Sequence, residues 1–228
     1  MLAALGACGD LANISSVTIN ELTTVASVWA LASFTTGPSN ISTSPGNGVG
    51  LIKAFASVNK LVDTADGVLS GPALPTGATI PKVELNTLVD IIAPCIDTYG
   101  DRSACGKLLA LAVSSTGANP TDVVTATLDI AHNPTRNIAA LNKLGEATGP
   151  FQPILSPAPF GWTIAIQYPT AGLSGPTGIA ADGSGNVWVT NEVGHAVTLL
   201  NPSGAVAGTC AMGQSGNGAI AIGLGGNA

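Results

Sequence analysis

Between Pro176 and Gly208 the chain reads PTGIAADGSGNVWVTNEVGHAVTLLNPSGAVAG, short apolar runs separated by DGSGN, NEVG and NPSG. Gly, Asn, Asp and Pro supply positive φ angles, local side-chain hydrogen bonds or a preset φ, so these separators are turns. The runs at 179–181, 187–190, 196–200 and 205–207 are too short for helices and predict four strands joined by tight turns. Four antiparallel strands in a meander of about 35 to 45 residues make a unit the size of one propeller blade.

Upstream the periodicity is helical. Thr18 and Glu21 stand at capping-box spacing, and Leu22, Val25, Ala26, Trp29 and Ser33 then fall on one face of a helix that Gly37-Pro38 ends. Leu51, Phe55, Val58 and Val62 predict a second helix over 48–62. A third starts with Pro81 in its first turn and runs to Ala93, where Pro94 should stop or kink it. Shorter helices are expected from Ser103 to Val113, after Pro120 with Asp122 in the first turn and His132 in the last, and over 137–145.

Pro150, Pro153, Pro157 and Pro159 then crowd into ten residues and predict a stiff, extended linker. The alternation in WTIAIQY, 162–168, predicts a first strand. The expected class is α+β: an all-α domain over 1–148, a proline-rich linker over 149–161, and an antiparallel β-meander over 162–228.

Charged residues make up only 9% of the chain while 46% is hydrophobic, which argues for a folded core and against disorder. The net charge of −6 comes from 13 scattered acids against 7 bases, so no basic stripe exists to hold nucleic acid. No apolar run approaches the roughly 20 residues of a membrane-spanning helix. MLAALGAC ends like a lipoprotein cleavage box but lacks a basic start, and its apolar stretch is shorter than a signal sequence requires. Of Cys8, Cys95, Cys105 and Cys210, the pair Cys95 and Cys105 brackets a turn-forming loop, IDTYGDRSA, whose ends can meet. A local disulfide is the leading pairing, with four reduced thiols as the alternative. The absence of a C-x-x-C or a nearby His pair argues against zinc.

A shift of 41 residues lays 176–187 on 217–228, with Ile179 on Ile220, Ala180 on Ala221, Gly185 on Gly226 and Asn186 on Asn227. The unit P-x-G-I-A-x-D-x-x-G-N-V-W-V-T-N resembles the NHL repeat of β-propellers, carried by Pro176, Gly178, Ile179, Ala180, Asp182, Gly185, Asn186, Val187 and Val189 with Trp188 between them. More widely, NELTTVASVWAL at 20–31 and PFQP at 150–153 are similar to segments that precede the propeller in bacterial NHL-repeat surface proteins. The second copy departs from the pattern, with Asn217 for Pro and Gly223 for Asp, and stops at Ala228. One blade closes no ring, so the expectation is a fragment whose unpaired sheet edge invites self-association.

The resemblance implies a non-catalytic, secreted or cell-surface binding or scaffold protein with a protein or glycan ligand and no cofactor. The alternative it implies is a propeller enzyme like the streptogramin lyases, to whose strands VWVTNE at 187–192 is similar; their catalytic blades have no counterpart here, so no catalytic residue is carried over.

Other motifs fall short of chemistry. The glycine spacing at 46–50 ends in Leu51 where the dinucleotide loop needs Gly. GDRSACGK at 100–107 has one residue too many and Leu108 in place of the magnesium-binding hydroxyl. Asp182, Ser184 and Asn186 alternate as in a calcium loop, yet Val193 stands where the bidentate Glu belongs, which favours a turn closed by side chains. His132 and His195 are the only histidines, and no G-x-S-x-G elbow occurs. Glu192 and His195, three residues apart, are a candidate acid-base pair on a turn.

Overall fold

The computed structural model describes residues 1–6, 12–97, 102–145, 149–168, 172–213 and 218–223. The chain is mixed α+β and divides into two compact units, Met1–Leu74 with Ile80–Ile166, and Pro75–Thr79 with Gln167–Ala228.

Six helices among the described residues build the first unit: α1 (Glu21–Leu31), α2 (Gly48–Leu61), α3 (Lys82–Asp97), α4 (Arg102–Leu111), α5 (Val123–His132) and α6 (Ile138–Gly145). It is not all-α. Two short antiparallel ribbons, β1 (Thr35–Gly37) with β2 (Asn40–Ile41) and β3 (Val62–Asp63) with β4 (Val68–Leu69), interrupt the helices at turns where the chain doubles back.

Helix α1 is capped two residues later than expected. Asn20, not Thr18, is the N-cap: its Oδ1 accepts from the Thr23 amide at 2.9 Å, and the Thr23 hydroxyl accepts from the Asn20 amide at 2.9 Å. Thr18 instead donates from its hydroxyl to the Ala65 carbonyl at 2.6 Å. The helix is buried on more than one side, and its buried Thr and Ser are satisfied because residues 2–4 lie against it. The Leu2 amide donates to Thr24 Oγ1 at 3.0 Å and the Ala4 amide to Ser27 Oγ at 2.9 Å. Buried hydroxyls require such partners, since an unpaired one costs about 1–3 kcal/mol.

Helix α3 runs four residues past its expected end, through Pro94 to Asp97. Proline removes one N–H, the one that would have bonded the Asp90 carbonyl, and here the packed neighbours hold the helical path regardless. Leu85, Leu88, Val89, Ile91 and Ile92 are all nearly inaccessible and join Val25, Val58, Leu108, Ala126 and Leu141 in one apolar core. In α5, Asp122 caps the helix by accepting from the Thr125 amide at 2.9 Å and the Thr125 hydroxyl at 2.6 Å. Burial alone would push the Asp122 carboxyl up, but the two Thr125 bonds, together with the Val124 amide and the charge of the N-terminus, hold the carboxyl below its usual range.

The proline-rich segment is not a linker, and the domain boundary lies later than expected. Residues 149–166 belong to the helical unit, with Phe151, Leu155, Ile164 and Ile166 packed on its core and Trp162 1% exposed within it. Four prolines exclude helix and ladder pairing but leave apolar side chains free to be buried. Nor is 162–168 a ladder strand. Its side chains alternate in burial as expected, while its backbone groups are used elsewhere: the Trp162 amide donates to the Pro134 carbonyl at 2.8 Å and the Trp162 carbonyl accepts from Trp29 Nε1 at 2.8 Å.

In the second unit β5 (Pro176–Ala181), β6 (Val187–Asn191), β7 (Ala196–Leu200) and β8 (Val206–Ala211) form one antiparallel sheet in sequential order. Irregularities between Pro176 and Gly178 and between Leu199 and Leu200 break an otherwise regular register, in which Gly178 faces Thr190 and Ala180 faces Trp188. Thr79 and Gln167 exchange amide bonds at 3.0 and 2.9 Å in a separate bridge.

Candidate functional site

The turns of the sheet unit are built by single side chains. Asp182 closes the β5–β6 turn: Oδ1 accepts from the amides of Ser184 and Asn186, each at 2.9 Å, and Oδ2 from Asn186 Nδ2 at 2.8 Å and Trp188 Nε1 at 3.2 Å. The Asn186 side chain contributes most to holding the Asp182 carboxyl below its usual range; desolvation opposes it, and Trp188 and the two amides assist. Gly185 takes φ +79°, which the turn requires and a side chain would strain. Four donors on one carboxylate make a structural staple, the same residues that a calcium loop would have used for the ion. Asn201 does the same for the β7–β8 turn, its Oδ1 accepting from the Ser203 amide at 3.0 Å, the Ser203 hydroxyl at 2.6 Å and the Ala205 amide at 3.0 Å.

The motif residues therefore separate into two groups. Asp182, Gly185, Asn186 and Trp188 meet in one hydrogen-bonded turn, whereas Pro176, Gly178, Ile179 and Val187 lie along the β5–β6 pair without sharing a site. Ile179 is 72% exposed although it sits opposite Val189, which is 5% exposed. Gly178 has a specific reason to be glycine: a Cβ there would collide with the Gly218 carbonyl, which also accepts from Thr190 Oγ1 at 2.9 Å. The start of the expected second copy thus lies against the first copy, but its described residues, 218–223, form no strand, and the identities at Gly226 and Asn227 fall outside the described residues.

A buried polar cluster at the end of β6 escaped the sequence reading. Asn191, 2% exposed, donates from Nδ2 to the Thr198 hydroxyl at 3.0 Å and to the Val189 carbonyl at 3.2 Å, and accepts from the Ser174 amide at 3.0 Å. Asparagine ending a run of β-formers, VWVTN, was the available signal, since a polar residue at a strand's inward end needs a partner.

Glu192 and His195 are both exposed on the following turn, where the His195 amide donates to the Glu192 carbonyl at 3.3 Å. No hydrogen bond joins their side chains among the described residues. His132, in the helical unit, bonds through Nε2 to the Ala32 carbonyl at 2.8 Å. Ser103 to Lys107 of the phosphate-loop-like stretch are helical, in α4, and Gly48 to Gly50 form the first turn of α2. Cys95 and Cys105 are joined as a disulfide across the α3–α4 connection, with Cα atoms 4.3 Å apart. Cys210 is exposed and free, and Cys8 lies outside the described residues. Among the described residues no three His, Cys, Asp or Glu side chains gather to hold a metal ion, and no helix is long and apolar enough to cross a membrane.

Each unit carries a cavity. In the helical unit one of about 420 Å³ is lined by Leu5, Leu51, Ile52, Phe55 and Asn59, and in the sheet unit one of about 230 Å³ by Pro75, Thr76, Tyr168, Ser203 and Gly204. Neither places an acid beside a base or a nucleophile. No protein-family model, curated protein or solved structure matches this chain.

Proposed function

We propose that this is a non-catalytic recognition or scaffold protein acting outside the cytoplasm, in which the β5–β8 sheet serves as an NHL-type propeller blade and presents its turns to a protein or glycan ligand. The observation that carries the reading is the sequential antiparallel meander with its NHL-like residues at the β5–β6 turn, where Asp182 accepts four hydrogen bonds. Rigid turns on a sheet suit binding, because side chains displayed there lose little freedom when a ligand arrives. The outer strands β5 and β8 have no further ladder partner among the described residues, which supports self-association as part of the scaffold role.

The test is surface binding of the full chain to a panel of bacterial surface glycans and a panel of extracellular proteins. Saturable binding to one class, lost at least tenfold when residues 192–195 are replaced by Asn-Gly and retained circular dichroism shows the sheet intact, is the expected result. Binding indifferent to that replacement, no saturable binding in either panel, or turnover of a streptogramin overturns the reading.

A further inference from the structure

One polar stripe on α3 does work that the binding role leaves unused. Asn86, Thr87 and Asp90 share a side of the helix, are 6%, 0% and 1% exposed, and each holds one point of the segment 149–155. Asn86 Nδ2 donates to the Pro153 carbonyl at 3.2 Å, Thr87 Oγ1 accepts from the Leu155 amide at 2.8 Å, and Asp90 Oδ1 accepts from the Phe151 amide at 3.2 Å. Gly149 lies so close over the Asp90 carboxylate that a Cβ there would collide with it. The segment is thus a strap, tied at three places and lying over a carboxyl that has almost no contact with solvent.

Asp90 is the exception among the three. Its Oδ2 is buried with no hydrogen-bond partner, and among the described residues no cation offsets its charge. The charged or titratable residues on the elements packed against α3 are Glu21 on α1, Lys107 on α4, Asp129 and His132 on α5, and Lys143 on α6, while the side chain of Arg102 lies outside the described residues. Lys107, His132 and Lys143 are exposed, Glu21 and Asp129 half-buried, and the strap itself brings no titratable group. Lys82, Glu84 and Asp97 lie toward the ends of α3 itself. Desolvation, partly offset by the Phe151 amide, accordingly raises the Asp90 carboxyl above its ordinary value.

We propose that Asp90 is a proton-operated latch: protonated, it stays buried and the 149–155 strap is closed; ionised, it draws water to the site and the strap opens. The sign follows from linkage. A carboxyl whose proton affinity is higher in the closed state adds stability that is complete below the open-state value, about 3.9, and declines as pH rises through the closed-state value. Opening exposes Phe151 and Leu155 while the rest of the helical core remains folded.

Hydrogen exchange of the Phe151 and Leu155 amides in the full chain, followed by NMR from pH 3 to 7 and corrected for intrinsic rates, tests the latch. Protection should fall with rising pH by up to about tenfold per unit across the ionisation and then level off. Asp90→Asn keeps the Phe151 acceptor without the charge and should make protection flat in pH. The carbonyl carbon of Asp90 in the unaltered protein supplies a measurement independent of the variant's folding, and it should titrate above the ordinary carboxyl range. Titration of Asp90 at or below about 3.9, or the same pH dependence in Asp90→Asn, overturns the proposal.

Discussion

The two units bury different things. The helical unit closes around Leu85, Leu88, Ile91, Ile92, Leu108, Leu141 and Trp162, each at most 2% exposed, whereas Val189 is the one buried hydrophobic side chain among the described residues of the sheet unit. What the sheet buries instead is polar: Thr190, Asn191 and Thr198. Burying a Leu or Ile side chain stabilises by about 1.5–3 kcal/mol, while a typical hydrogen bond contributes about 1 kcal/mol net. The first unit is therefore held by the burial of apolar side chains and tolerates an irregular strap on its surface. The second is held by ladder and turn hydrogen bonds and leaves Ile179, Val193 and Val206 in solvent.

The comparison breaks most visibly at Trp162. Trp162→Ala removes the largest inaccessible side chain of the helical core and is expected to cost about 3–5 kcal/mol, read as a lowered urea midpoint. Exchange protection of the β6 and β7 amides should remain; its loss would show that the two units share one cooperative transition. The converse change is Asn191→Ala, which strands the buried Thr198 hydroxyl and removes the acceptor of the Ser174 amide, and should cost the sheet unit about 1–3 kcal/mol. Trp188 fluorescence should report that loss while protection of the α3 amides is unaffected.

The smallest effect sharpens the comparison through pH. Because the Asp182 carboxyl is held below its usual range, its contribution is present above the ordinary carboxyl value and lost as pH falls through the folded one. Asp182→Asn keeps an oxygen for the turn amides but cannot accept from both Asn186 Nδ2 and Trp188 Nε1. Its melting midpoint should lie below that of the unaltered chain at neutral pH, with the gap narrowing on acidification. Acid thus loosens this turn and tightens the Asp90 strap, opposite responses of two carboxyls to the same proton.

Much of the sheet was legible because turns are local. DGSGN and NPSG carry their own hydrogen-bond acceptors and glycines, so the strands fall within a few residues of their expected limits. Most helices were legible for the same reason, and α2 and α6 start within one residue of expectation. Apart from the two short ribbons, whose strands pair locally, the clearest misreadings concern segments whose partner is distant in sequence. Thr18 looked like a cap because its real acceptor, the Ala65 carbonyl, is 47 residues away. The alternation of 162–168 was real, but alternation specifies a buried face and not a ladder, and the partners of Trp162 are Trp29 and Pro134.

The candidate site divides along the same line. Asp182, Gly185 and Asn186 were readable as a turn, while the fourth donor, Trp188, and the Asn191 cluster were not, since they depend on which strand faces which. The sequence by itself determined the six helices, the four strands of the meander and the turn chemistry, all set by interactions within a few residues. Only the tertiary structure decided that the proline-rich segment packs Phe151 and Leu155 on the helical core, that Gly178 must clear the Gly218 carbonyl, and that Asp90 is sealed beneath Gly149. Those are packing outcomes, and packing is settled by whichever distant surfaces exclude water together.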